Sequence, residues 1–310
     1  MKRILSCLGI TWTLLVALTA TAGTLAGKNS DTIFLGVISA RGIELTYKRY
    51  NPLAEYFSTA LGTEVKVVPL DHAKNLPYLR DGKVDFLLTN PTMAATIYDQ
   101  VDVTLLANLN KDSGHQFGGV IFSKQDSGIH TVNDIVNKRV LAYKPEKSAG
   151  AYIFQRYHLL NKGIDLHSQL RWLSGAKTQD LIVEAVGRGY ADVGFIRTGI
   201  LEYMAREGKI DMEDFHVIDE VKDSPFPQVH STALYPEWYL IAGTNVDKEL
   251  SQTFTQAALA ITADMDVAKQ TNINGFVKPL DLKPLVSVLK ELRIPPFDTP
   301  NEHTNPGTQH

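Results

Sequence analysis

The chain has 310 residues, of which 44% are hydrophobic, so it is long enough for one or two globular domains with buried cores. The formal net charge is −3, and it becomes −5 when Lys2 and Arg3 are removed with the first 22 residues. This acidic balance, without any run of Lys or Arg, argues against a nucleic-acid partner, because nothing in the chain could neutralise a row of phosphates.

The first 22 residues have the pattern of a secretory signal peptide. Lys2-Arg3 precedes the apolar run from Ile4 to Leu18, and Ala20-Thr21-Ala22 has the small residues of a cleavage site. The alternative is an uncleaved membrane anchor, but a span needs roughly 18 or more apolar residues and threonines interrupt this run. The single cysteine, Cys7, lies in the same segment. We therefore expect a periplasmic mature protein without disulfides.

The first predicted element of the mature chain is a strand at Thr32–Ile38, apolar enough to be buried on both faces of a parallel sheet. The strand runs into a polar turn that contains Arg41. This guanidinium either binds an anion or is a solvated loop charge. The next helix is predicted to start at Tyr50-Asn51-Pro52 and to end at Leu61-Gly62.

Two segments share a strand–turn–helix pattern, Asp71–Asp99 and Leu173–Met204. Gly82-Lys83-Val84-Asp85-Phe86-Leu87 in the first matches Gly189-Tyr190-Ala191-Asp192-Val193-Gly194 in the second. Five residues after each Asp comes a polar residue beyond a predicted strand end, Asn90 and then Arg197. Two such units predict two lobes with facing polar turns around one cleft.

The second unit is predicted in more detail. The sequence predicts a tight turn at Ser174-Gly175-Ala176, an amphipathic helix at Lys177–Arg188 and a short strand at Asp192–Ile196. Arg197 then opens the next helix. In an open α/β sheet, ligands lie beyond the strand ends, where helix N-termini favour anions.

Another candidate anion site follows the predicted strand Arg139–Tyr143. The segment Lys144–Gly150 contains Ser148 and small residues, and it precedes a predicted helix at Ala151–Leu160. Such a turn can cradle an oxyanion with backbone N–H groups and the Ser148 hydroxyl. An ordinary capped helix fits the same residues.

The chain is predicted to cross between two lobes twice, near His115–Gly118 and within Ser231–Ala242, and two crossings make a hinge. The aromatic residues of the second crossing, Tyr235, Trp238 and Tyr239, either line the cleft or pack in the core. The expected fold is α/β and two-lobed. We expect residues 28–116 plus 233–298 in lobe 1, 117–232 in lobe 2, and a disordered tail at 299–310.

Four stretches carry a resemblance to a known family: DVGFIRTGILEYM, STALYPEW, GFVKPLD and LRIPPFD. They resemble the phosphonate/phosphite-type periplasmic solute-binding proteins, and most of all the branch with tetrathionate-sensor-like periplasmic domains. The resemblance covers roughly residues 33–298. It implies a type II periplasmic-binding fold of mixed sheets flanked by helices, with capture of a small oxyanion by hinge closure and delivery to an ABC transporter. The alternative that it implies is a ligand-sensing component that partners a membrane sensor kinase.

The resemblance also implies a ligand site. The family's serine-rich anion turn falls on Lys147, Ser148 and Ala149, and its SGxH turn falls on Ser174–Lys177, with Lys177 in place of the histidine. The first-lobe polar turn falls on Asn90-Pro91-Thr92, and Arg41 lies on the loop after the first strand. Arg197 stands where the family has an acidic residue, and in aminoalkylphosphonate binders such acids pair with the ammonium group of the ligand. We therefore expect a ligand without an ammonium group.

Catalysis is the competing class. The histidines show no metal-ligand spacing, and the sequence contains neither a G-x-S-x-G motif nor a P-loop. We expect a monomer that is not an enzyme, with no cofactor and no metal. Its partners would be the small anion and either an ABC permease or a sensor kinase in the membrane.

Overall fold

The computed structural model describes residues 32–39 and 42–298. The predicted signal peptide, Arg41 and the predicted tail at 299–310 lie outside them. The strands are β1 (Ile33–Ile38), β2 (Val65–Leu70), β3 (Phe86–Thr89), β4 (Thr104–Asn110), β5 (Gln116–Phe117), β6 (Gly119–Lys124), β7 (Arg139–Tyr143), β8 (Trp172–Ala176), β9 (Val193–Arg197), β10 (Phe215–Val217), β11 (Tyr235–Pro236), β12 (Tyr239–Ala242) and β13 (Gly275–Val277). The helices are α1 (Ile43–Leu61), α2 (His72–Arg80), α3 (Pro91–Gln100), α4 (Phe154–Asn161), α5 (Leu166–Gln169), α6 (Gln179–Gly187), α7 (Ile200–Arg206), α8 (Lys248–Leu259), α9 (Asp266–Thr271) and α10 (Lys283–Glu291). A π-helical turn, Ala149–Ile153, leads directly into α4.

The strands form two larger mixed sheets, in the orders β13-β4-β12-β3-β1-β2 and β10-β6-β9-β7-β8. In the first sheet β1 pairs in parallel with β2 and β3, and in the second β7 pairs in parallel with β8 and β9. The remaining pairs within these sheets are antiparallel. The expected α/β fold of two lobes with mixed sheets is confirmed.

The repeated sequence pattern corresponds to a repeated hydrogen-bond arrangement. The carboxylate of Asp85 accepts from the backbone N–H of Phe34 at 2.8 Å, and that of Asp192 accepts from the N–H of Arg139 at 2.8 Å. Each Asp also donates its own N–H to the carbonyl of the same partner. Each Asp therefore fixes the register of a parallel strand pair. It does so at the amino-terminal ends of the strands, opposite the ends that carry the polar turns.

A two-stranded ribbon lies where the chain passes between the sheets. β5 pairs antiparallel with β11, through Gln116 with Pro236 and Phe117 with Tyr235. β4 and β12 belong to the six-stranded sheet, whereas β6 and β10 belong to the five-stranded one. The ribbon therefore contains both of the crossings expected from the sequence. Where the two lobes divide, at 28–116 plus 233–298 and 117–232, stays a prediction.

Each sheet is covered by its own buried aromatic cluster. The ring of Phe254 lies 3.8 Å from that of Phe86 and 4.1 Å from that of Phe57, which ties α8 and α1 to the six-stranded sheet. Phe122 and Phe215 meet edge to face in the other sheet. Full burial of such a side chain contributes about 1.5–3 kcal/mol. Within the described chain no helix is both long enough and apolar enough to cross a bilayer.

Two local predictions were wrong. The first long helix begins at Ile43, not at Tyr50, and contains Pro52 in its interior. Its end at Leu61-Gly62 was predicted correctly, and Gly62 is left-handed in the structure. The segment Ser174–Ala176 is not a turn, because it pairs with Leu141–Tyr143 as the last residues of strand β8. Pairing with a distant segment overrode the turn propensity of these small residues.

Candidate functional site

A cavity of about 340 Å³ lies at the carboxyl ends of parallel strands from both sheets. Ile38 ends β1, Asn90 follows β3, Tyr143 ends β7 and Arg197 ends β9, and all four line the cavity. The carboxyl ends of strands are the usual place for ligands in open α/β sheets. The cavity is therefore the candidate ligand site.

The base of the cavity contains two cations that share one carboxylate. Arg197 Nη2 lies 2.6 Å from Glu237 Oε1, and Lys111 Nζ lies 3.2 Å from Oε1 and 3.3 Å from Oε2. The Glu237 side chain is 0% exposed, whereas those of Lys111 and Arg197 are 20% and 22% exposed. Because one negative charge lies behind two positive ones, the base presents excess positive charge to the cavity.

Burial and neighbouring charges shift the pKa values of both Lys111 and Glu237. Burial, together with the charge of Arg197, lowers the pKa of Lys111 to about 7, although Glu237 acts in the opposite direction. Burial by itself raises the pKa of Glu237, but Arg197 and Lys111 outweigh that effect and leave the pKa below its usual value. The carboxylate is thus ionised at neutral pH, and the charge of Lys111 is poised to change there.

Arg49 adds a third cation from α1. Its Nε donates to the carbonyl of Thr271 at 2.9 Å and its Nη2 to that of Asn272 at 3.3 Å. Its guanidinium lies 5.5 Å from the centre of the Tyr50 ring, and that of Arg197 lies 4.5 Å from the centre of the Phe117 ring. Carbonyls and aromatic faces therefore hold both guanidinium groups in place.

The turn at Ser148 presents the start of a helix to the cavity. Ser148 makes no side-chain capping bond, and the π-helical turn that follows contains Ala151 in a non-helical conformation. The N–H groups of Ala149 and Gly150 belong to the first helical turn, where backbone donors have no acceptor within the helix. A Cβ on Gly150 would lie 2.6 Å from Phe117 Cε2, so only glycine allows this close approach. Free N–H groups and the adjacent hydroxyl suit an oxyanion.

Asn90 and His72 form the neutral part of the wall. Asn90 is the N-cap of α3, and its Oδ1 accepts from the Met93 N–H at 3.0 Å and from the Thr92 hydroxyl at 2.7 Å. Its Nδ2 lies 3.4 Å from His72 Nε2. Burial, with the charges of Lys144 and Lys147, lowers the pKa of His72 to about 4. His72 is therefore neutral at physiological pH, and its Nε2 accepts from Asn90.

The structure brings together some of the predicted site residues and not others. Four of them line the cavity: Asn90, Ser148, Ala149 and Arg197. Thr92 is buried and acts by orienting Asn90, while Lys147 is exposed and acts on His72 through its charge. Lys177 is exposed on the loop after β8 and does not line the cavity. Arg41 lies outside the described residues. Of the three aromatics of the second crossing, Trp238 lines the cavity, whereas Tyr235 and Tyr239 are core residues.

Three central residues were missed by the sequence reasoning: Arg49, Lys111 and Glu237. Lys111 follows β4 in a polar turn, the same signal that identified Asn90 and Arg197, and so it could have been found. Arg49 was missed because the start of α1 was placed too late. Glu237 was overlooked although it lies within the STALYPEW stretch.

The charged side chains that line the cavity are mostly basic. Within the described chain they are Arg49, Lys111, Arg197 and Arg206, with Asp112 as the single acid. Residues 32–39 and 42–298 contain no group of three or more His, Cys, Asp or Glu side chains that could hold a metal ion. The arrangement is suited to binding an anion through direct charge-assisted hydrogen bonds.

Known proteins resemble the chain in sequence and in fold. The tetrathionate sensor histidine kinase TtrS of Salmonella typhimurium is 28% identical over 253 residues, which are 78% of this chain and 42% of that protein. This chain thus spans less than half the length of that relative.

Three solved structures share the fold. XAC2383 from Xanthomonas citri bound to ATP has a TM-score of 0.70 at 19% identity, covering 84% of this chain and 98% of that one. PhnD1 from Prochlorococcus marinus in complex with methylphosphonate has a TM-score of 0.69 at 15% identity, covering 85% and 99%. A binding protein component of an ABC phosphonate transporter from Pseudomonas aeruginosa has a TM-score of 0.67 at 17% identity, covering 85% and 87%.

The resemblance inferred from the sequence motifs is confirmed by the family comparison. The model of the periplasmic substrate-binding proteins of phosphonate ABC transporters matches residues 35–282, which is most of the chain. This protein therefore belongs to the family of periplasmic phosphonate substrate-binding proteins of ABC transporters.

Proposed function

We propose that this protein captures a small oxyanion in the cavity between its two sheets and delivers it to an ABC permease in the membrane. The observation that carries the proposal is the cluster in which Lys111 and Arg197 share the buried carboxylate of Glu237. The cluster leaves positive charge facing the cavity. The N–H groups after Ser148 add donors that suit the oxygens of the same anion.

The ligand that we propose has no ammonium group. Glu237 is fully buried and accepts from Arg197, Lys111 and the Trp238 N–H, so it has no free direction toward a ligand. Asp112, the single acid among the described lining residues, is exposed, so solvent screens its charge. An aminated anion would bring its positive charge to a site that is already cationic, which costs affinity.

We further infer that the mature protein acts in the periplasm, binds its ligand without altering it chemically, and is a monomer. The family is one of periplasmic substrate-binding proteins, which supports the first two points. Recovery of chemically unchanged ligand after long incubation tests the second, and recovery of a product would favour an enzyme instead.

Calorimetric titration of the mature chain tests the proposed ligand class. The panel is phosphite, methylphosphonate, thiosulfate, tetrathionate and acetate, with 2-aminoethylphosphonate as the aminated comparison. We expect at least one simple oxyanion to bind, and to bind more tightly in the wild type than in Lys111→Gln. Lys66→Gln is the matched control. Lys66 is an exposed lysine of β2 that pairs with Glu64 and does not line the cavity. Tighter binding of the aminated anion than of every simple one would contradict the proposal.

A second candidate is a sensing role, and the specific observation in its favour is the similarity to a sensor histidine kinase. In that case the closed protein would contact a membrane sensor rather than a permease. The genomic neighbourhood discriminates the two, since permease and ATPase genes favour uptake whereas histidine-kinase genes favour sensing.

A further inference from the structure

We propose that the protein has a second anion site, at the other edge of the five-stranded sheet, in which Lys138 and Arg171 bind a compact dianion such as sulfate or hydrogen phosphate. The site is a cavity of about 390 Å³, which we call the distal cavity. It shares no lining residue with the candidate ligand site. The inference therefore does not rest on the proposed function.

The distal cavity lies at the amino-terminal ends of the parallel strands. Arg139 begins β7 and lines the distal cavity, whereas Tyr143 ends the same strand and lines the first cavity. β9 repeats this arrangement, with Asp192 just before its start and Arg197 at its end. A strand of five residues spans roughly 16 Å at ~3.3 Å per residue. A small ligand in one cavity therefore does not reach the other.

The charges that line the distal cavity are unbalanced. Four cations face two carboxylates, which leaves an excess of two positive charges: Lys124, Lys138, Arg139 and Arg171 against Asp126 and Asp192. Both carboxylates are already paired. That of Asp192 accepts from Arg139 Nε at 3.1 Å and from its Nη2 at 2.6 Å. That of Asp126 lies 2.9 Å from Lys124 Nζ. Lys138 and Arg171 therefore carry the excess.

Lys138 and Arg171 are neighbours at the start of β7 and β8. The carbonyl of Lys138 accepts from the N–H groups of Arg171 at 3.2 Å and Trp172 at 3.4 Å. Neither cation has an ion pair within residues 32–39 and 42–298. Hydrogen bonds from Arg139 lower the pKa of Asp192, and the charge of Lys138 adds only a minor part. Like charges on neighbouring strands repel each other, and a bound dianion removes that cost.

The end of helix α6 forms one wall and does not neutralise these cations. Carbonyl groups at a helix C-terminus attract positive charge when they are free. Here the carbonyl of Val186 accepts from the N–H of Gly189 at 3.0 Å, and the carbonyl of Gly189 accepts from Arg139 Nη2 at 2.9 Å. Because these acceptors are occupied, Lys138 and Arg171 remain available to a ligand.

The remaining lining residues suit a small polar ligand. Ile129, Val186 and Ala191 are buried and form an apolar floor. Asn137 and Ser127 are exposed above it. The Ser127 hydroxyl oxygen accepts from the N–H of Ile129 at 3.2 Å, so its hydrogen can still be donated. Amide and hydroxyl donors beside two cations fit the oxygens of a tetrahedral dianion.

Sulfate is the probe, because its charge is constant near neutral pH. A titration of the isotopically labelled mature chain at fixed ionic strength, followed by the amide NMR signals, locates the binding. We expect saturable shifts at residues 126–127, 137–139 and 171–172, with sulfate at least about tenfold tighter than the monoanion nitrate. Shifts scattered over the surface without saturation would indicate an adventitious ion only and would overturn the inference.

Variants test the two cations. In Lys138→Gln/Arg171→Gln we expect sulfate to bind the distal cavity at least about tenfold more weakly. The same variant should melt no lower than the wild type, because the repulsion is gone. Lys248→Gln/Lys278→Gln is the matched control, since both are exposed lysines that line neither cavity.

The first cavity is separated from this test by Lys111→Gln, which removes one of its cations. We expect the shifts around Lys138 and Arg171 to persist in that variant with unchanged affinity. Loss of those shifts in Lys111→Gln would assign the sulfate to the first cavity and overturn the inference. Unchanged sulfate affinity in Lys138→Gln/Arg171→Gln, or an equal loss in the lysine control, would overturn it as well. None of these outcomes contradicts the proposed function.

Discussion

The Glu237 carboxylate accepts a hydrogen bond from Arg197 at 2.6 Å, and this contact joins the connection before β12 in one sheet to the end of β9 in the other. The two residues are 40 positions apart in the chain, and neither side chain is free to act alone. Arg197 therefore has two tasks, since it neutralises a buried acid and also faces the cavity. Any substitution of Arg197 will change stability as well as binding.

The stability of this cluster can be tested by a series of variants. We expect Arg197→Gln to lower the free energy of unfolding by about 1.5–3 kcal/mol, since Lys111 remains to neutralise Glu237. The double variant Lys111→Met/Arg197→Gln leaves Glu237 buried without a cation, and we expect a total loss of about 3–5 kcal/mol. Adding Glu237→Gln to the double variant should restore part of it. Urea denaturation measures all three, and wild-type stability of the double variant would show that the cluster is not structural.

Anion affinity should depend on pH because of Lys111. The pKa of Lys111 is lowered to about 7, so the side chain is charged at pH 6 and mostly neutral at pH 8. Since only the charged form attracts an anion, we expect affinity to fall as pH rises from 6 to 8, with proton uptake on binding near pH 7. His72 does not contribute, because its pKa of about 4 keeps it neutral throughout.

The probe for this measurement should be an anion whose own charge is constant, such as thiosulfate or benzenesulfonate. Titrations at pH 6, 7 and 8, in two buffers with different ionisation enthalpies, report the affinity and the proton uptake. Lys111→Arg is the matched control, because an arginine stays charged over the whole range and should flatten the profile. An unchanged slope in Lys111→Arg would assign the pH dependence to another group.

The close approach of Gly150 to Phe117 predicts a sensitive position. A Cβ at residue 150 would lie 2.6 Å from Phe117 Cε2 and 3.0 Å from the carbonyl of Gly118. We expect Gly150→Ala to cost about 1–3 kcal/mol of stability through overpacking, and to weaken anion binding because the N–H groups move. Gly187→Ala is the matched control, since its Cβ would meet Phe215 at an ordinary 3.4 Å. Equal melting temperatures for the two variants would contradict the prediction.

The ribbon of β5 and β11 is the expected hinge. If the sheets move about it, small-angle scattering should show a smaller radius of gyration when a saturating anion is added. The same anion should leave the scattering of Lys111→Met/Arg197→Gln unchanged, because that variant lacks the cations of the site. Identical scattering of the wild type with and without a tightly bound anion would mean that the site binds without closure.

The sequence predicted those features that depend on local pattern. Apolar runs located β1 and β7, and polar residues beyond strand ends located Asn90, Ser148 and Arg197. The start of α1 was misplaced because Pro52 resembles a first-turn proline, whereas here it is accommodated inside a helix.

Features that depend on contacts between distant segments of the chain could not be predicted from local sequence pattern. Ser174–Ala176 became a strand because β7 lies beside it, and Gly175 fits there because a Cβ would lie 2.9 Å from Pro145. The partner of Arg197 is Glu237, which lies 40 positions away in the chain and belongs to the other sheet's side of the fold. Such pairs are set by topology, which composition and spacing do not report.

The position of β12 in the six-stranded sheet constrains the order in which the chain can fold. β12 lies between β3 and β4 and pairs with both, although it follows them by more than a hundred residues in the chain. An incomplete chain that ends before Tyr239 has β3 and β4 but not the strand that joins them. The joining of β4 to the β1–β3 part of this sheet therefore waits for nearly the whole chain, and such non-local contacts form slowly. The sheet stays in two unjoined parts during that interval, a condition that suits the export expected of a periplasmic family.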